Sequence, residues 1–363
     1  MSYFSRMFGC GVFIVAEIGK NFIQTPAEES VAEYLARAKA LVDAAAAAGV
    51  DAVKFQTHEL EDEQAPLADV VTPHFTETDR YSWVARNTRA TPLAEFWQPL
   101  AAHCRSRGVT FFSTPMSRGA ARKLNRLNVP FWKVGSGDIL DFVLLDYLAA
   151  TGKPIIFSTG MVSLAELDEV INYLRRRRAG KLSVLYCISE YPCPPAQFNL
   201  ATIEELREKY PEVDIGFSDH SLGHEAALAA VKLGAKIIEK HFSLSREFWG
   251  SDHQVSMLPA EMATLVTAIR AGDYRLVDEK KFYGEREREL EGANNRFRPY
   301  FHRALAAAAD LPAGAALDRE SIYSLRPLAR LNGLPAHRFE LVLGRRLKRP
   351  LKKYEVIQEE NLA

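Results

Sequence analysis

Short apolar runs alternate with longer alanine-rich or amphipathic stretches along the first 270 residues of the chain. The runs have the length and the β-branched or aromatic content of buried strands, and a helix-like stretch such as 32–48 ends at a glycine, Gly49. Eight such runs occur, at 12–17, 51–56, 109–114, 129–134, 154–158, 182–187, 213–221 and 236–242. Most of the segments between them suit parallel crossovers rather than hairpins. The pattern therefore predicts a (β/α)8 barrel.

An open, doubly wound parallel sheet is the alternative fold for this alternation of strands and helices. Such sheets usually carry a glycine-rich phosphate-binding turn after the first strand. Here the first strand runs into Ala-Glu-Ile-Gly-Lys at 16–20, which lacks that turn. The barrel is therefore favoured.

Two of the predicted strands end in a histidine, and one crossover helix, at 223–234, separates them. In a parallel βαβ unit His220 and His241 come to the same end of neighbouring strands, where two imidazoles can share one divalent metal. The alternative is that each is an ordinary hydrogen-bonded histidine near a strand end. Ser218 and Asp219 crowd the same loop, which favours the metal-ligand interpretation.

Polar residues gather where the predicted strands stop, which is the barrel face that builds active sites. In chain order they are Glu17, Lys54, Gln56, Thr114, Lys133, Ser136, Asp138, Ser158, Thr159, Ser189, Tyr191, Ser218, His220 and His241. Two lysines, several hydroxyls and two histidines suit an anion bound next to a metal. The alternatives are lysines that merely cover the rim, or a Schiff base on Lys133 as in class I aldolases.

The amino-acid composition argues against some classes of function. The 363 residues carry 46 Lys and Arg against 46 Asp and Glu, and this zero formal charge argues against nucleic acid or an anionic membrane as the main partner. The segment 1–10 is too short and too polar for a signal peptide, and no apolar run approaches the ~20 residues that span a bilayer. The four cysteines fit no common zinc spacing, so we expect a reduced, cytoplasmic enzyme.

The pattern changes beyond the eighth strand. We predict a barrel domain at 1–275, a linker at 276–298 that contains the charge run 285–291, and a small domain of short β-like pieces at 299–363. The segment 58–92 is too long for a plain connection, and is either a loop that covers the site or a surface insertion.

Eight motifs in order along the chain resemble the sialic acid synthase family. They are Glu-Ile-Gly at 17–19, Val-Lys-Phe-Gln at 53–56, Phe-Ser-Thr-Pro at 112–115, Lys-Val-Gly-Ser-Gly at 133–137, Ser-Thr-Gly-Met at 158–161, Gly-Phe-Ser-Asp-His at 216–220, Glu-Lys-His at 239–241 and Gly-Ser-Asp-His at 250–253. The tail, with Leu-Pro-Ala-Gly at 311–314 and Glu-Asn-Leu at 360–362, is similar to that family's antifreeze-like (SAF) domain.

This resemblance implies a condensation of phosphoenolpyruvate (PEP) with an open-chain amino-sugar aldehyde, giving a nine-carbon 2-keto-3-deoxy acid and phosphate. It implies a divalent metal on His220 and His241, usually manganese, with magnesium and cobalt as alternatives. It also implies a homodimer in which the small domain of one subunit covers the barrel of the other. The remaining residues carried over are, for PEP, Lys54, Thr114, Lys133, Ser136, Ser158, Ser189 and Ser218; for the sugar, Gln56, Tyr191, Asp252 and Arg326; and, for catalysis, Glu17 and Asp138.

The chain departs from the family pattern on the sugar side. The usual Asn-His-Asn-Gly after the first strand is here Asn-Phe-Ile-Gln at 21–24, a usual glutamate is Asp138, and a usual asparagine is Ser189. The arginine of the tail's Arg-Pro-Gly segment is Arg326, but Leu328 replaces the glycine. The acceptor is therefore left open between N-acetylmannosamine, a modified hexose of the legionaminic or pseudaminic branches, and a less usual aldehyde.

Two further functions remain open at this stage. A related PEP-dependent synthase of seven- or eight-carbon keto acids has the same barrel and chemistry, but the SAF-like tail argues against it. A non-catalytic relative that binds a carbohydrate or protein partner is the other. Lysines and histidines kept together at the strand ends argue against that alternative, because a binding module has no physical need for them there.

Overall fold

The computed structural model describes residues 11–73, 75–286 and 294–363. Its main sheet has eight strands: β1 Phe13–Gly19, β2 Ala52–Thr57, β3 Thr110–Pro115, β4 Trp132–Val134, β5 Ile155–Ser158, β6 Leu182–Cys187, β7 Asp214–Asp219 and β8 Ile237–His241. The hydrogen-bonded order is β3-β2-β1-β8-β7-β6-β5-β4, every ladder is parallel, and β3 lies beside β4 to close the ring. The predicted (β/α)8 barrel is confirmed.

Helices connect successive strands and pack on the outside of the barrel. The α-helices of this region are Val31–Ala47, Leu60–Glu63, Arg80–Ala90, Gln98–Ser106, Arg118–Asn125, Phe142–Ala150, Leu164–Arg176, Thr202–Lys209, Glu225–Lys232, Pro259–Ala271 and Lys280–Tyr283. Ser30 and Ser163 each begin a helix with a reciprocal capping box, which satisfies backbone N–H groups that the first turn leaves unpaired. None of the helices in the described ranges is both long enough and apolar enough to cross a bilayer.

The barrel interior follows the two-residue period of its strands. An apolar cluster of Phe13, Val15, Ala52, Phe112, Phe131, Ile156, Leu185 and Ile237 fills the inside. One period further along each strand, towards its carboxyl end, the inward position becomes polar or ionisable. These eight residues, which we name the floor ring, are Glu17, Lys54, Thr114, Lys133, Ser158, Cys187, Ser218 and Glu239. The geometry of the strands therefore brings these polar and ionisable side chains to one end of the barrel.

Strand β7 contributes a glycine where the other strands place an apolar side chain. A Cβ on Gly216 would lie 2.5 Å from the carbonyl oxygen of Ile237 and 2.6 Å from a methyl carbon of Leu185. Such contacts are too close for any side chain, so β7 approaches its neighbours closely only because this position has none. Ser218, two residues on, is thereby held at the level of the floor ring.

A small domain follows the barrel. Its antiparallel pair is β9 Ala304–Ala307 with β10 Ile322–Leu325, and its short helices are Arg298–Phe301, Leu328–Leu331 and Phe339–Val342. The segment 280–283, placed in the predicted linker, hydrogen bonds to the barrel at Leu200 and Ala201. The predictions for 1–10 and for residues 287–291 of the charge run lie outside the described residues. The boundaries at 275 and 298 stay predictions.

Arg303 fixes the small domain to the open end of the barrel. Its guanidinium donates to the carboxylate of Asp138, at 2.7 and 3.0 Å, and to the carbonyls of Glu63 and Ser324, at 3.1 and 2.9 Å. The Ser324 hydroxyl donates to Asp141 at 2.7 Å. Because the side chains of Arg303 and Asp138 are each only 1% exposed, this ion pair is desolvated and depends on its full set of partners.

We expect Arg303→Met to lower the free energy of unfolding by about 3–5 kcal/mol, because it leaves a buried carboxylate without its charge partner. The measurement is the shift of the urea unfolding midpoint. Arg349→Met is the control, since Arg349 forms an exposed pair with Glu355 in the same domain and its loss costs less than about 1 kcal/mol. Equal stability of the two variants would contradict the role of Arg303.

Candidate active site

A cavity opens at the carboxyl ends of the barrel strands. All of the site residues carried over from the family resemblance line it: Glu17, Lys54, Gln56, Thr114, Lys133, Ser136, Asp138, Ser158, Ser189, Tyr191, Ser218, His220, His241, Asp252 and Arg326. Thr159, the other polar residue predicted at a strand end, does not line it. The structure therefore brings these residues together at one end of the barrel, although the role of each stays a prediction. Lys20, Arg80, Cys187, Glu239, Phe297 and Phe301 also line the cavity.

At the bottom of the cavity Glu239 lies between two lysines. Its carboxylate is 3.4 Å from the Lys54 ammonium and 3.6 Å from the Lys133 ammonium. Lys54 also pairs with Glu17 at 2.9 Å. All four side chains are buried, so these charges interact through little water and each depends on the others.

The pKa values at the bottom of the cavity follow from burial and from these pairs. Burial raises the pKa of Glu239, but Lys133 and Lys54 outweigh it and hold this pKa at about 2. Burial lowers the pKa of Lys54, and the two carboxylates reverse that effect and raise it overall. For Lys133 burial prevails and the pKa falls. For Glu17 burial also prevails over its pair with Lys54, and the pKa rises.

Hydroxyl groups surround the two ammonium groups. Lys133 donates to the Ser158 hydroxyl at 2.7 Å, and Lys54 donates to that of Thr114 at 3.3 Å. The Ser189 hydroxyl is buried without a hydrogen-bond partner among the described residues. Next to it Gly160 is required, because a Cβ there would lie 2.3 Å from the Ser189 oxygen. Ammonium and hydroxyl donors directed into one small space suit an anion such as a phosphate or a carboxylate.

The two histidines lie close together above the floor ring. Their ring centroids are 5.5 Å apart, and the ring of Tyr191 packs on His220 at 4.2 Å. His220 donates its Nδ1 proton to the carbonyl of Ile188 at 2.7 Å. Burial lowers the pKa of His220, but the neighbouring Cys187 outweighs burial and raises this pKa overall. Nδ1 of His241 is buried without a hydrogen-bond partner among the described residues.

This pair of imidazoles fits a divalent metal. Burial lowers the pKa of His241 to about 3, so the ring is neutral at physiological pH, which is the form that binds metals. Within the described ranges no group of three or more His, Cys, Asp or Glu side chains is arranged to hold a metal ion. Metal binding by His220 and His241 stays a prediction.

The upper part of the cavity is lined by different polar groups. Lys20 donates to the Gln56 side-chain carbonyl at 2.9 Å, and Gln56 donates to Glu17 at 2.9 Å. The Lys20 ammonium lies 3.8 Å from a carboxylate oxygen of Asp252. This chain of contacts connects the upper part of the cavity to Glu17 in the floor ring.

Asp138 is held by the small domain. Its carboxylate accepts hydrogen bonds from both Arg303 and Arg326, and Arg326 is fully buried. Gly137 next to it is required, because a Cβ there would lie 2.9 Å from the side chain of Phe301. The small domain therefore forms part of the cavity wall.

The sequence analysis missed several cavity residues for two different reasons. Glu239 and Cys187 lie two residues from His241 and Leu185 on the same strand faces, so the two-residue period could have identified them. Arg80 belongs to the insertion at 58–92, and Phe297 precedes the first helix of the small domain. No local pattern in the sequence indicates that these two residues reach the barrel mouth.

The NeuB family model matches residues 41–281, and the SAF domain model matches residues 302–363. The spore coat polysaccharide biosynthesis protein SpsE of Bacillus subtilis is 33% identical over 91% of this chain and 88% of its own. The N,N'-diacetyllegionaminic acid synthase of Campylobacter jejuni is 30% identical over 89% of this chain and 94% of its own.

Solved structures agree with these matches. The crystal structure of Bacillus subtilis SpsE aligns with a TM-score of 0.75 at 31% identity, covering 98% of this chain and 96% of that one. The N-acetylneuraminic acid synthetase of Leptospira borgpetersenii aligns with a TM-score of 0.61 at 32% identity, covering 72% of this chain and 84% of that one. With its barrel, its SAF domain and its cavity residues in the predicted places, the chain belongs to the NeuB family.

Proposed function

We propose that the protein condenses PEP with an open-chain amino-sugar aldehyde, giving a 2-keto-3-deoxy nonulosonic acid and phosphate. The observation that carries the proposal is that Lys54, Lys133, His220 and His241 line one cavity at the carboxyl end of the barrel, each lying on or directly after a different strand. Relatives named as legionaminic, pseudaminic and N-acetylneuraminate-9-phosphate synthases support it. The related keto-acid synthases of shorter products are disfavoured because the chain carries an SAF domain.

PEP lies on the floor ring in this proposal. Lys54 and Lys133 supply positive charge to its phosphate and carboxylate, and Thr114, Ser136, Ser158, Ser189 and Ser218 supply neutral donors. Glu239 separates the two ammonium groups in the free enzyme. When PEP arrives its anionic groups take over part of this role, and the donors are already oriented.

Manganese on His220 and His241 is the metal we propose. When bound there, a divalent cation polarises the aldehyde oxygen as a Lewis acid. The chain's own contribution is to hold the two rings: the Ile188 carbonyl fixes the tautomer of His220, and Tyr191 packs against it. Both rings are buried, which limits the access of water to the reacting carbonyl.

Glu17 is the proposed acid–base group. Carbon 3 of PEP bonds to the aldehyde carbon, water adds at carbon 2, and the C–O bond to phosphate breaks. To leave a ketone at carbon 2 the water must lose both protons, of which one reaches the former aldehyde oxygen and the other leaves with the phosphate. The raised pKa of Glu17 suits a carboxyl that both accepts and donates a proton. Asp138, the other candidate, is engaged by two arginines, and we propose that it orients Arg326.

The sugar is proposed to contact Gln56, Tyr191, Asp252 and Arg326. The identity of the sugar is left to experiment, because the departures from the family pattern affect residues predicted to contact it.

We also propose a swapped homodimer and a cytoplasmic location. The connection at 287–293, which decides the swap, lies outside the described residues, and the described cysteines are free thiols, which supports a reducing compartment.

A screen of aldehydes tests the proposed reaction. With PEP and manganese, we expect phosphate release with N-acetylmannosamine or one of its 2,4-diacetamido relatives, and a product whose mass is that of PEP plus aldose plus water minus phosphoric acid. PEP labelled with ¹⁸O in its bridging oxygen should pass the label to phosphate, because the C–O bond breaks. A product that retains phosphorus from PEP, or no release with any aldose, would refute the proposal.

Removal of either imidazole tests the metal site. We expect His220→Ala and His241→Ala each to reduce kcat by at least about 100-fold, because the remaining nitrogen alone holds the cation weakly. Both variants should keep the circular dichroism spectrum of the wild type. His224→Ala is the control, since His224 lies in the loop before the next helix and does not line the cavity. Full activity in both variants, or in chelator-treated enzyme, would show that the metal assignment is wrong.

A further inference from the structure

Arg80 is a buried cation for which the proposed reaction gives no role. It begins the helix Arg80–Ala90 of the 58–92 insertion, is only 6% exposed, and lines the cavity. Its Nη2 atom has no hydrogen-bond partner among the described residues. Burial and the neighbouring charge of Arg326 lower the pKa of Arg80 to about 10, so the group is still charged at physiological pH. A buried charged N–H without a hydrogen-bond acceptor is costly unless a ligand supplies one.

Arg326, next to Arg80, also has a buried N–H group without a hydrogen-bond acceptor. Its Nη1 atom is also buried without a hydrogen-bond partner in the described parts of the chain. Both guanidinium groups lie over the ring of Phe301, at 5.2 Å for Arg80 and 5.1 Å for Arg326. The two unfilled donors are therefore neighbours, one supplied by the barrel insertion and the other by the small domain.

The nearby acids do not satisfy these two donors. Glu63 is 3.8 Å from Arg80 and 3.5 Å from Arg326, and it makes no hydrogen bond to either of these nitrogens. Its carboxylate is instead occupied by His58, at 2.8 and 3.0 Å. Asp138 accepts from the other nitrogen of Arg326. The remaining N–H groups are free to bind an acceptor that enters the cavity.

Lys20 adds a third cation at this level of the cavity. Lys20 directly follows the Glu-Ile-Gly motif at 17–19 and is 9% exposed. Its ammonium lies 5.9 Å from the ring centroid of Trp83, which belongs to the same helix as Arg80. Its nearest carboxylate, Asp252, is at the long distance of 3.8 Å.

We propose that the sugar acceptor carries an anionic group, a phosphate or a carboxylate, at the end of its chain away from the aldehyde. Arg80 and Arg326 bind this group, with Lys20 beside it. The proposal rests on the proposed function, which puts the aldehyde next to PEP on the floor ring. Because Arg80 and Arg326 come from the segments that cover the barrel, the far end of an extended acceptor is the part that meets them. Two planar guanidinium groups match the oxygens of such an anion.

Non-reacting probes test the subsite separately from the reaction. Mannitol, mannitol 6-phosphate and mannonate are titrated calorimetrically into enzyme saturated with PEP, which blocks the floor ring. We expect at least one of the two anions to bind about 100-fold more tightly than mannitol, and the better one identifies phosphate or carboxylate as the group. In Arg80→Met we expect this preference to fall by about 10- to 100-fold, while the binding of PEP and of mannitol is unchanged.

Arg89→Met is the matched control. Arg89 lies on the same helix in an exposed pair with Glu28, so this variant should bind all three probes as the wild type does. Arg80→Lys keeps the charge but loses the planar fork, so an intermediate preference is expected, and it replaces Arg80→Met if that variant does not fold. Equal losses for mannitol and for the anions, or equal affinities in the wild type, would overturn the subsite.

Turnover assays distinguish a failure of the anion subsite from a failure of the proposed function. With an aldose and its 6-phosphate or its uronic acid, we expect the preference for the anionic acceptor to appear in KM rather than in kcat. Turnover with no preference for an anion would overturn the subsite and leave the proposed function in place. Binding of an anionic probe that depends on Arg80, without turnover of any aldose, would overturn the proposed function and leave the subsite in place.

Discussion

The site depends on one electrostatic constraint, the carboxylate of Glu239 held between the ammonium groups of Lys54 and Lys133. Two like charges inside a closed barrel repel each other strongly unless an anion lies between them. Glu239 supplies that anion at 3.4 and 3.6 Å and so lets both lysines stay at the bottom of the cavity. The lysines then remain available to a substrate with two anionic groups, which is the property that a PEP site requires.

Much of this arrangement follows from the sequence because the barrel has a simple geometry. Once eight parallel strands are recognised, residues at their carboxyl ends must converge, and His220 and His241 are found as neighbours as expected. Glu239 also lies on the inward face of its strand, two residues before His241. A glutamate within a strand is usually exposed to solvent, however, and only the fold shows that this face of the strand points into the barrel. Strand pattern therefore predicts the bottom of the cavity better than its top.

The top of the cavity depends on contacts between segments far apart in the chain. Arg303 reaches Glu63 across 240 positions and Asp138 across 165. No local period carries such information, because the contacts arise only when the small domain docks. The same docking brings Arg326 and Phe301 beside Arg80. The small domain thus completes the end of the cavity proposed for the acceptor, whereas the barrel alone supplies the end proposed for PEP.

The most direct test is a crystal structure of the protein with manganese and PEP, with anomalous data collected at the manganese edge. The proposed site predicts one anomalous peak per chain within bonding distance of both His220 and His241, and PEP density with its charged groups against Lys54 and Lys133. An anomalous peak elsewhere, or PEP bound away from the floor ring, would contradict the proposed site.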